Sequence, residues 1–287
     1  MKAPGGGSSR WKRPGTAGQV AGAAVVGILA GALSGLFGVG GGILIVPGLV
    51  LILGMGQRLA HGTSLAAILP IAISGVAAYA LEAAVDWPAA GLIVAGASGG
   101  AVLGTHALRR LSPGFLRILF GLFLLLTAVQ MLIQTPQAAG RGDLEVGTAV
   151  ALVLVGVLSG TLAGLLGVGG GIVIVPALVI LFSVPDAVAK GTSLAVIIPT
   201  ALVGTLRNLR HGDADLSVAV LVGLLGVASA FAASRVSVGL DPRVSSVLFA
   251  GLLVLVAARL LIRVPTRTGA RTADEGPTPT SEGPIAH

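Results

Sequence analysis

The sequence predicts an all-α integral membrane protein built from two homologous repeats of inverted topology, with helices interrupted by glycine. Three observations carry this: a composition suited to a bilayer, a unit that occurs twice, and a Lys/Arg distribution that separates two sides. The 287 residues are 54% hydrophobic, 10% charged and 3% aromatic, with a mean hydropathy of +0.99. A soluble domain carries about 25% charged residues. Apolar stretches of roughly 18 or more residues, each able to cross the ~30 Å hydrocarbon core, recur along most of the chain. Leu65 to Leu81, Pro88 to Leu108 and Phe115 to Ile133 are three of them. The net charge of +7 arises from Lys and Arg between these stretches. It therefore reads as topology information and not as a nucleic-acid footprint. With no cysteine, disulfides, thiolate metal sites and thiol nucleophiles are excluded.

Residues 1–19 are basic and glycine-rich and predict a cytoplasmic N-terminal segment. The apolar stretch that follows has a near copy in mid-chain, which argues against a signal peptide. LSGLFGVGGGILIVP, Leu33 to Pro47, recurs 129 residues later as LAGLLGVGGGIVIVP, Leu162 to Pro176. At the same offset HGTSLAAILP falls on KGTSLAVIIP, Asp86 on Asp215, Pro113 on Pro242 and Phe120 on Phe249. This register defines membrane repeat 1 over 20–134, a linker over 135–148 and repeat 2 over 149–263. The remaining 264–287 are polar and rich in Pro, Thr and Gly, a composition that predicts a disordered cytoplasmic tail.

The opening stretch of each repeat sets the topology. As one straight helix Val20 to Leu53 would be about 50 Å long at ~1.5 Å per residue, too long for the core, so the glycines must break it. If the chain enters, turns at the glycines and returns, each repeat has a broken hairpin plus three full crossings. The odd number inverts the copies, giving six full spans plus two broken hairpins. Fourteen Lys and Arg then lie inside, and only Arg141, Lys190, Arg235 and Arg243 face out. Counting about eight transmembrane segments instead makes the copies parallel and leaves eleven basic residues inside and seven outside. The positive-inside rule favours the inverted arrangement. Inverted repeats with broken helices are a recurring build of secondary transporters, whose sites lie near the midplane.

Non-helical backbone in a membrane is tolerated only where protein or a water-lined cavity satisfies the freed groups. Gly38, Gly40, Gly41 and Gly42, with Gly167, Gly169, Gly170 and Gly171, can adopt positive φ and admit a ligand closely. Their successive N–H groups, opening into a helix, attract anions. The alternative for the same glycines is close helix packing. The second shared element, Thr63 and Ser64 with Thr192 and Ser193, stands before an apolar run and predicts an N-cap. Presented to a cavity, such a helix start with two hydroxyls would bind an oxyanion. His61 and Lys190 occupy equivalent positions beside these pairs as charge partners, or, for Lys190, as a residue snorkelling to water. Pro70 and Pro199 are hinge candidates, or simple bends. Pro47 and Pro176 are expected to shape the short segments after the glycines. Arg207, Asn208 and Arg210 are expected to follow the helix as topology markers or an inner gate. Ionisable residues within the spans read as nearly absent, and no catalytic, metal-binding or nucleotide-binding motif appears, so neither an enzyme nor a cofactor is expected.

The pairing of GLFGVGGGILIVP with AHGTSLAAILP, and of GLLGVGGGIVIVP with AKGTSLAVIIP, resembles the sulfite exporter TauE/SafE family, also called the toluene sulfonate uptake permease family. The likeness covers about Val20 to Arg263. It implies a multi-pass transporter of the bacterial cytoplasmic membrane, usually described with about seven or eight spans. It further implies a sulfite, sulfonate, sulfoacetate or related organic anion as substrate, with proton coupling in several relatives. The family's motifs fall on Gly38 to Gly42, Gly167 to Gly171, Thr63, Ser64, Thr192 and Ser193. Thiosulfate import through membrane cysteines, as in a more distant group, is excluded by the absence of cysteine. The combined expectation is a permease for a small anion, with lipid as its surroundings. The alternatives are a transporter of another organic anion, or a membrane scaffold whose glycines only pack helices.

Overall fold

A computed structural model describes residues 17–107, 113–133, 145–166 and 170–262. The start of the N-terminal segment, most of the linker, Gly167 and Gly169 and the tail 264–287 lie outside the described residues. The described residues form helices joined by short loops, with no strand among them. The first five helices are α1 (Ala17–Phe37), α2 (Gly42–Leu51), α3 (Gln57–Leu81), α4 (Trp87–Ala107) and α5 (Pro113–Ile133). The second five are α6 (Val146–Leu166), α7 (Gly171–Phe182), α8 (Asp186–Arg210), α9 (Leu216–Val238) and α10 (Pro242–Leu261). Each helix of the second set begins 129 residues after its counterpart in the first.

Helices α1, α3, α8, α9 and α10 are long and apolar enough to cross a membrane. Each of α4, α5 and α6 has 21 residues, about 31 Å at ~1.5 Å per residue. The helices α2 and α7, at 10 and 12 residues, are only half-spans. Large aliphatic side chains such as Leu29, Leu154, Val203, Leu224 and Leu255 are exposed, as a lipid-facing surface requires. The chain is an integral, multi-pass membrane protein.

The glycine break turns α2 back along α1. A β-carbon at Gly41 would stand 2.6 Å from the Ala30 carbonyl oxygen, and one at Gly48 would stand 2.6 Å from the Val26 side chain. One built on Gly22, near the start of α1, would meet Ile52, just beyond α2. Moving forward along α2 therefore moves backward along α1. The chain returns toward the end of the bundle at which α1 began, and α3 starts from there. At the far end Tyr79, late in α3, donates from its hydroxyl to the Gly35 carbonyl, late in α1, at 2.7 Å. Thus α1 and α3 run the same way.

The two halves interlock through small residues. Gly27, Gly31 and Gly35 of α1 lie against Val222, Gly226 and Ala230 of α9 in the same order, so those helices are parallel. Gly96 and Gly100 of α4 lie against Val153 and Val157 of α6, the counterpart of α1, again in parallel. Helices α3 and α8 are antiparallel: Gly62 adjoins Asp213 and Asn208, Leu65 adjoins Gly204, and Gly75 adjoins Leu194. Lacking a hydrophobic drive between helices in lipid, such contacts depend on close van der Waals fit, which is why glycine occupies them.

The structure corrects three expectations of detail. The apolar run at Leu65 is part of a helix that begins at Gln57, and its partner begins at Asp186. Hence Thr63, Ser64, Thr192 and Ser193 lie inside helices and cap neither. Glycine at 56 and proline at 185 precede the true starts, without a side-chain cap. Arg207, Asn208 and Arg210 sit in the last turns of α8 and do not follow it. An apolar window of hydropathy misses these ends because Gln57, Arg58, Asp186 and Lys190 are polar residues carried on the same helices.

Two outcomes test this architecture. Gly31→Val pushes side-chain atoms into the α9 backbone and should lower stability by about 1–3 kcal/mol, seen as a lower unfolding temperature in detergent. Gly91→Ala, at a position with open space around it, should not. The chain has no cysteine, so single cysteines report sidedness cleanly. Arg58→Cys and Arg210→Cys should label from one side of the membrane and Glu82→Cys from the other; labelling of positions 58 and 210 from opposite sides contradicts the fold.

Candidate functional site

The broken end of α1 is the feature that organises the site. Gly38 and Gly41 have φ of 69° and 70°, left-handed values that a side chain would strain. Gly42 opens α2 in helical geometry, and Gly170 has a φ of −66°, so these two glycines do not serve by positive φ. The last carbonyls of α1 are satisfied partly by its own final turn and partly by other helices. Ser34 O accepts from Gly38 N at 2.8 Å, and Gly35 O accepts from the Tyr79 hydroxyl. Leu36 O accepts from Ser237 Oγ at 3.0 Å, and Gly38 O accepts from Ser193 Oγ at 2.7 Å.

The two short helices point their N-termini at this junction. In α2 the first ladder bonds are donated by Leu44 and Ile45 to Gly41 O, so the amides of Gly42 and Ile43 precede them. In α7 Val173 and Ile174 donate to Gly170 O, so the amides of Gly171 and Ile172 do likewise. Gly171 packs directly on the first break: a β-carbon there would lie 2.6 Å from Gly38 O, 2.8 Å from Val39 Cα and 2.9 Å from Ser193 Oγ. Gly40 is flanked by Ile68 of α3 and Ile197 of α8, one turn beyond Ser64 and Ser193. The structure thus brings Gly38, Gly40, Gly41, Gly171 and Ser193 together. Gly167 and Gly169 lie outside the described residues.

The threonines act elsewhere. Thr63 Oγ1 accepts from the backbone N of Asp215, the N-cap of α9, at 2.9 Å. Thr192 Oγ1 accepts from Asp86 N, just before α4, also at 2.9 Å. Each threonine ties a helix of one half to the loop that starts a helix of the other. Both are fully buried, as are Ser64 and Ser193. Ser64 Oγ meets no partner among the described residues. Pro70 and Pro199 are inside α3 and α8, and Pro47 and Pro176 are inside α2 and α7. A β-carbon at Gly223 of α9 would stand 2.7 Å from the Pro70 ring, a contact in the helix packing.

Lys190 does not snorkel. Its side chain is 0% exposed and pairs with Asp186, one turn earlier and 8% exposed, at 2.7 Å. Its ammonium also donates to Ser237 Oγ at 3.0 Å and to Ser245 Oγ. Its backbone abuts the break, since a β-carbon at Gly38 would lie 2.7 Å from Lys190 Cα. His61, the equivalent residue, is half-buried on α3. The expectation that the spans are nearly free of ionisable groups therefore fails at Asp186 and Lys190. Sequence reasoning also missed Tyr79, Ser237 and Ser245. The i,i+4 spacing of Asp186 and Lys190 in an apolar stretch was a usable signal, as was the single tyrosine. For the serines, nothing in the sequence distinguishes them from other small membrane residues.

A family model described as sulfite exporter TauE/SafE matches residues 5–131 and 152–286. The chain is 28% identical to the probable membrane transporter protein YunE of Bacillus subtilis, over 67% of this chain and 78% of the relative. It is 31% identical to a probable membrane transporter protein of Xylella fastidiosa, over 73% and 85%. A probable membrane transporter protein of Methanocaldococcus jannaschii is 32% identical over 64% and 70%. No solved structure matches the chain.

Removing the hydroxyl that satisfies Gly35 should show its part in the junction. Tyr79→Phe is expected to destabilise the protein by about 1 kcal/mol, because the buried Gly35 carbonyl keeps only the longer bond from Ser234 Oγ at 3.5 Å. The readout is thermal unfolding of the purified protein in detergent, with Phe123→Tyr on α5 as a change that leaves the junction intact.

Proposed function

The chain belongs to the sulfite exporter TauE/SafE family, a family of membrane transporters, and from that membership we propose that it is a secondary transporter of a small anion. Sulfite, a sulfonate or a related organic anion is the substrate class. The observation that carries this reading is the meeting of the two glycine breaks, with Gly171 packed on Gly38 and Val39 and with Ser193 between them.

Here two short helices begin with amides that precede their first ladder bonds, and a helix N-terminus stabilises negative charge. Ser193 supplies a hydroxyl that can leave Gly38 O and donate to a bound oxyanion. Ser64 is its counterpart in the other half. The buried surroundings correspond to a state closed to both sides. The antiparallel arrangement of α3 and α8 supports two repeats of opposite orientation, so that rocking one half against the other alternately opens each side. In this reading Gly38, Gly40, Gly41, Gly42, Gly170 and Gly171, with Ser64 and Ser193, line the substrate site, while Gly167 and Gly169 are proposed with them from the repeat alone. Thr63 and Thr192 hold the loops that the moving halves share. Pro70 and Pro199 are the hinge positions.

Reconstituted protein should take up labelled sulfite, ethanesulfonate or sulfoacetate in proteoliposomes. Gly171→Ala, whose added methyl would press on Gly38 and Val39, should cut the flux at least about tenfold while insertion survives. Ser193→Ala should weaken substrate affinity by about 1 kcal/mol, or roughly fivefold. Unchanged flux in both variants would favour a packing role for the glycines, and no flux of any anion by the wild type would refute the transport reading.

A further inference from the structure

We propose that Lys190 and Asp186 form a counter-ion pair that the transported anion opens: the substrate replaces Asp186 at the Lys190 ammonium, and Asp186 takes up one proton. The protein then carries a singly charged anion together with one proton. This rests on the transport reading above and assigns its charge balance.

The ammonium has three protons and three acceptors, Asp186 Oδ2, Ser237 Oγ and Ser245 Oγ. Ser245 in turn donates to Asp186 Oδ2 at 2.7 Å, and Ser237 donates to Leu36 O. One hydroxyl therefore links the charge to the last turn of α1, and the Lys190 backbone lies against Gly38. A substrate that loosens the break at Gly38 must disturb this cluster. The other carboxylate oxygen, Asp186 Oδ1, is buried and has no hydrogen-bond partner among the described residues. Once a substrate has taken Asp186's place at Lys190, this buried carboxylate has lost its counter-ion and one of its oxygens has no donor, so that uptake of a proton removes an uncompensated buried charge.

Charge balance completes the argument. The empty cluster is neutral, with one ammonium and one carboxylate. An added anion would leave a net negative charge in a low-dielectric interior, which is strongly unfavourable. With Lys190 positive, the substrate negative and Asp186 protonated, the loaded cluster is again neutral. The O–H bond made on Asp186 is matched by one broken on hydronium or a buffer acid on the open side, and on the other side that O–H breaks again as the proton passes to water or buffer base. The first half has no second such pair: the residues 129 positions before Lys190, Asp186, Ser237 and Ser245 are His61, Gln57, Leu108 and Leu116. One pair sets one charge and one proton.

Few other groups face the pair. From α3 comes Tyr79, already bonded to Gly35 O. Ser237 comes from α9 and Ser245 from α10, whose N-terminus is capped at the surface by Asp241, beside Arg243. Glu82 and Arg235 pair with each other at the surface, and Asp86 accepts from Ala89 N. Helices α1 and α7 carry no titratable residue, and α4 carries only His106 near its opposite end.

The test uses full-length protein in proteoliposomes containing pyranine, with ethanesulfonate as the monoanion probe. Wild type should move about one proton per ethanesulfonate, respond to a pH gradient, and ignore a potassium–valinomycin potential. The dianion sulfoacetate should move at least about tenfold more slowly. Asp186→Asn should lose pH-driven net uptake by about tenfold or more while still exchanging labelled for unlabelled ethanesulfonate; Lys190→Gln should lose both. The neutral double variant Asp186→Asn with Lys190→Gln controls for folding. Anion flux without proton movement, or flux driven by voltage, overturns the proposal on wild-type protein alone, whatever the variants do. Wild-type pH response in Asp186→Asn overturns it equally. Absence of any anion flux in wild type instead refutes the transport reading, and this proposal with it.

Discussion

A helix that stops inside a membrane leaves carbonyls that lipid cannot hydrogen-bond, and the rest of this structure is arranged around supplying partners to the end of α1. Gly38 and Gly41 take left-handed backbone to turn the chain. Tyr79, Ser237 and Ser193 then donate to Gly35, Leu36 and Gly38. Two of these three donors belong to the second half of the chain. A broken helix of one repeat is therefore stable only when the other repeat is docked on it. The positive charge of Lys190 beside this negative helix end adds to the same stabilisation.

That requirement explains the packing. Donors on α8 and α9 reach the break only if these helices approach α1 closely, and glycine permits the approach at Gly27, Gly31 and Gly35. The reciprocal bonds from Asp215 to Thr63 and from Asp86 to Thr192 fasten the loops at the two ends of the α3–α8 pair. Phe37 and Phe249, with ring centroids 5.7 Å apart, seal the end of α1 against α10. The same contacts that complete the fold thus enclose the junction where an anion is proposed to bind, so substrate release must loosen part of the fold itself.

Much of this was legible in sequence because duplication leaves a one-dimensional trace. The glycine break was readable from four glycines in an apolar run, and its return along α1 from the length that a straight helix would have. Other features were misread for physical reasons. Thr63 and Ser64 look like a helix start because hydroxyls cap helices, yet a fully buried threonine can serve equally as an acceptor for a neighbouring loop. Lys190 reads equally as a charge partner or as a residue snorkelling to water, since an isolated lysine costs too much to bury. Its burial becomes tolerable only with Asp186, Ser237 and Ser245 around it, and the two serines come from helices that are distant in sequence.

The sequence by itself determined the membrane environment, the two repeats, their constant offset and the positions at which helices must break, because hydropathy, helix length and backbone freedom are local properties. Only the tertiary structure decided which groups satisfy the broken backbone and where the buried charge is held. Those depend on which helices touch: α1 beside α9, α3 against α8, and Gly171 upon Gly38. Hydrogen bonds and ion pairs act over a few ångströms, and the chain brings their partners within that range only after both halves have docked.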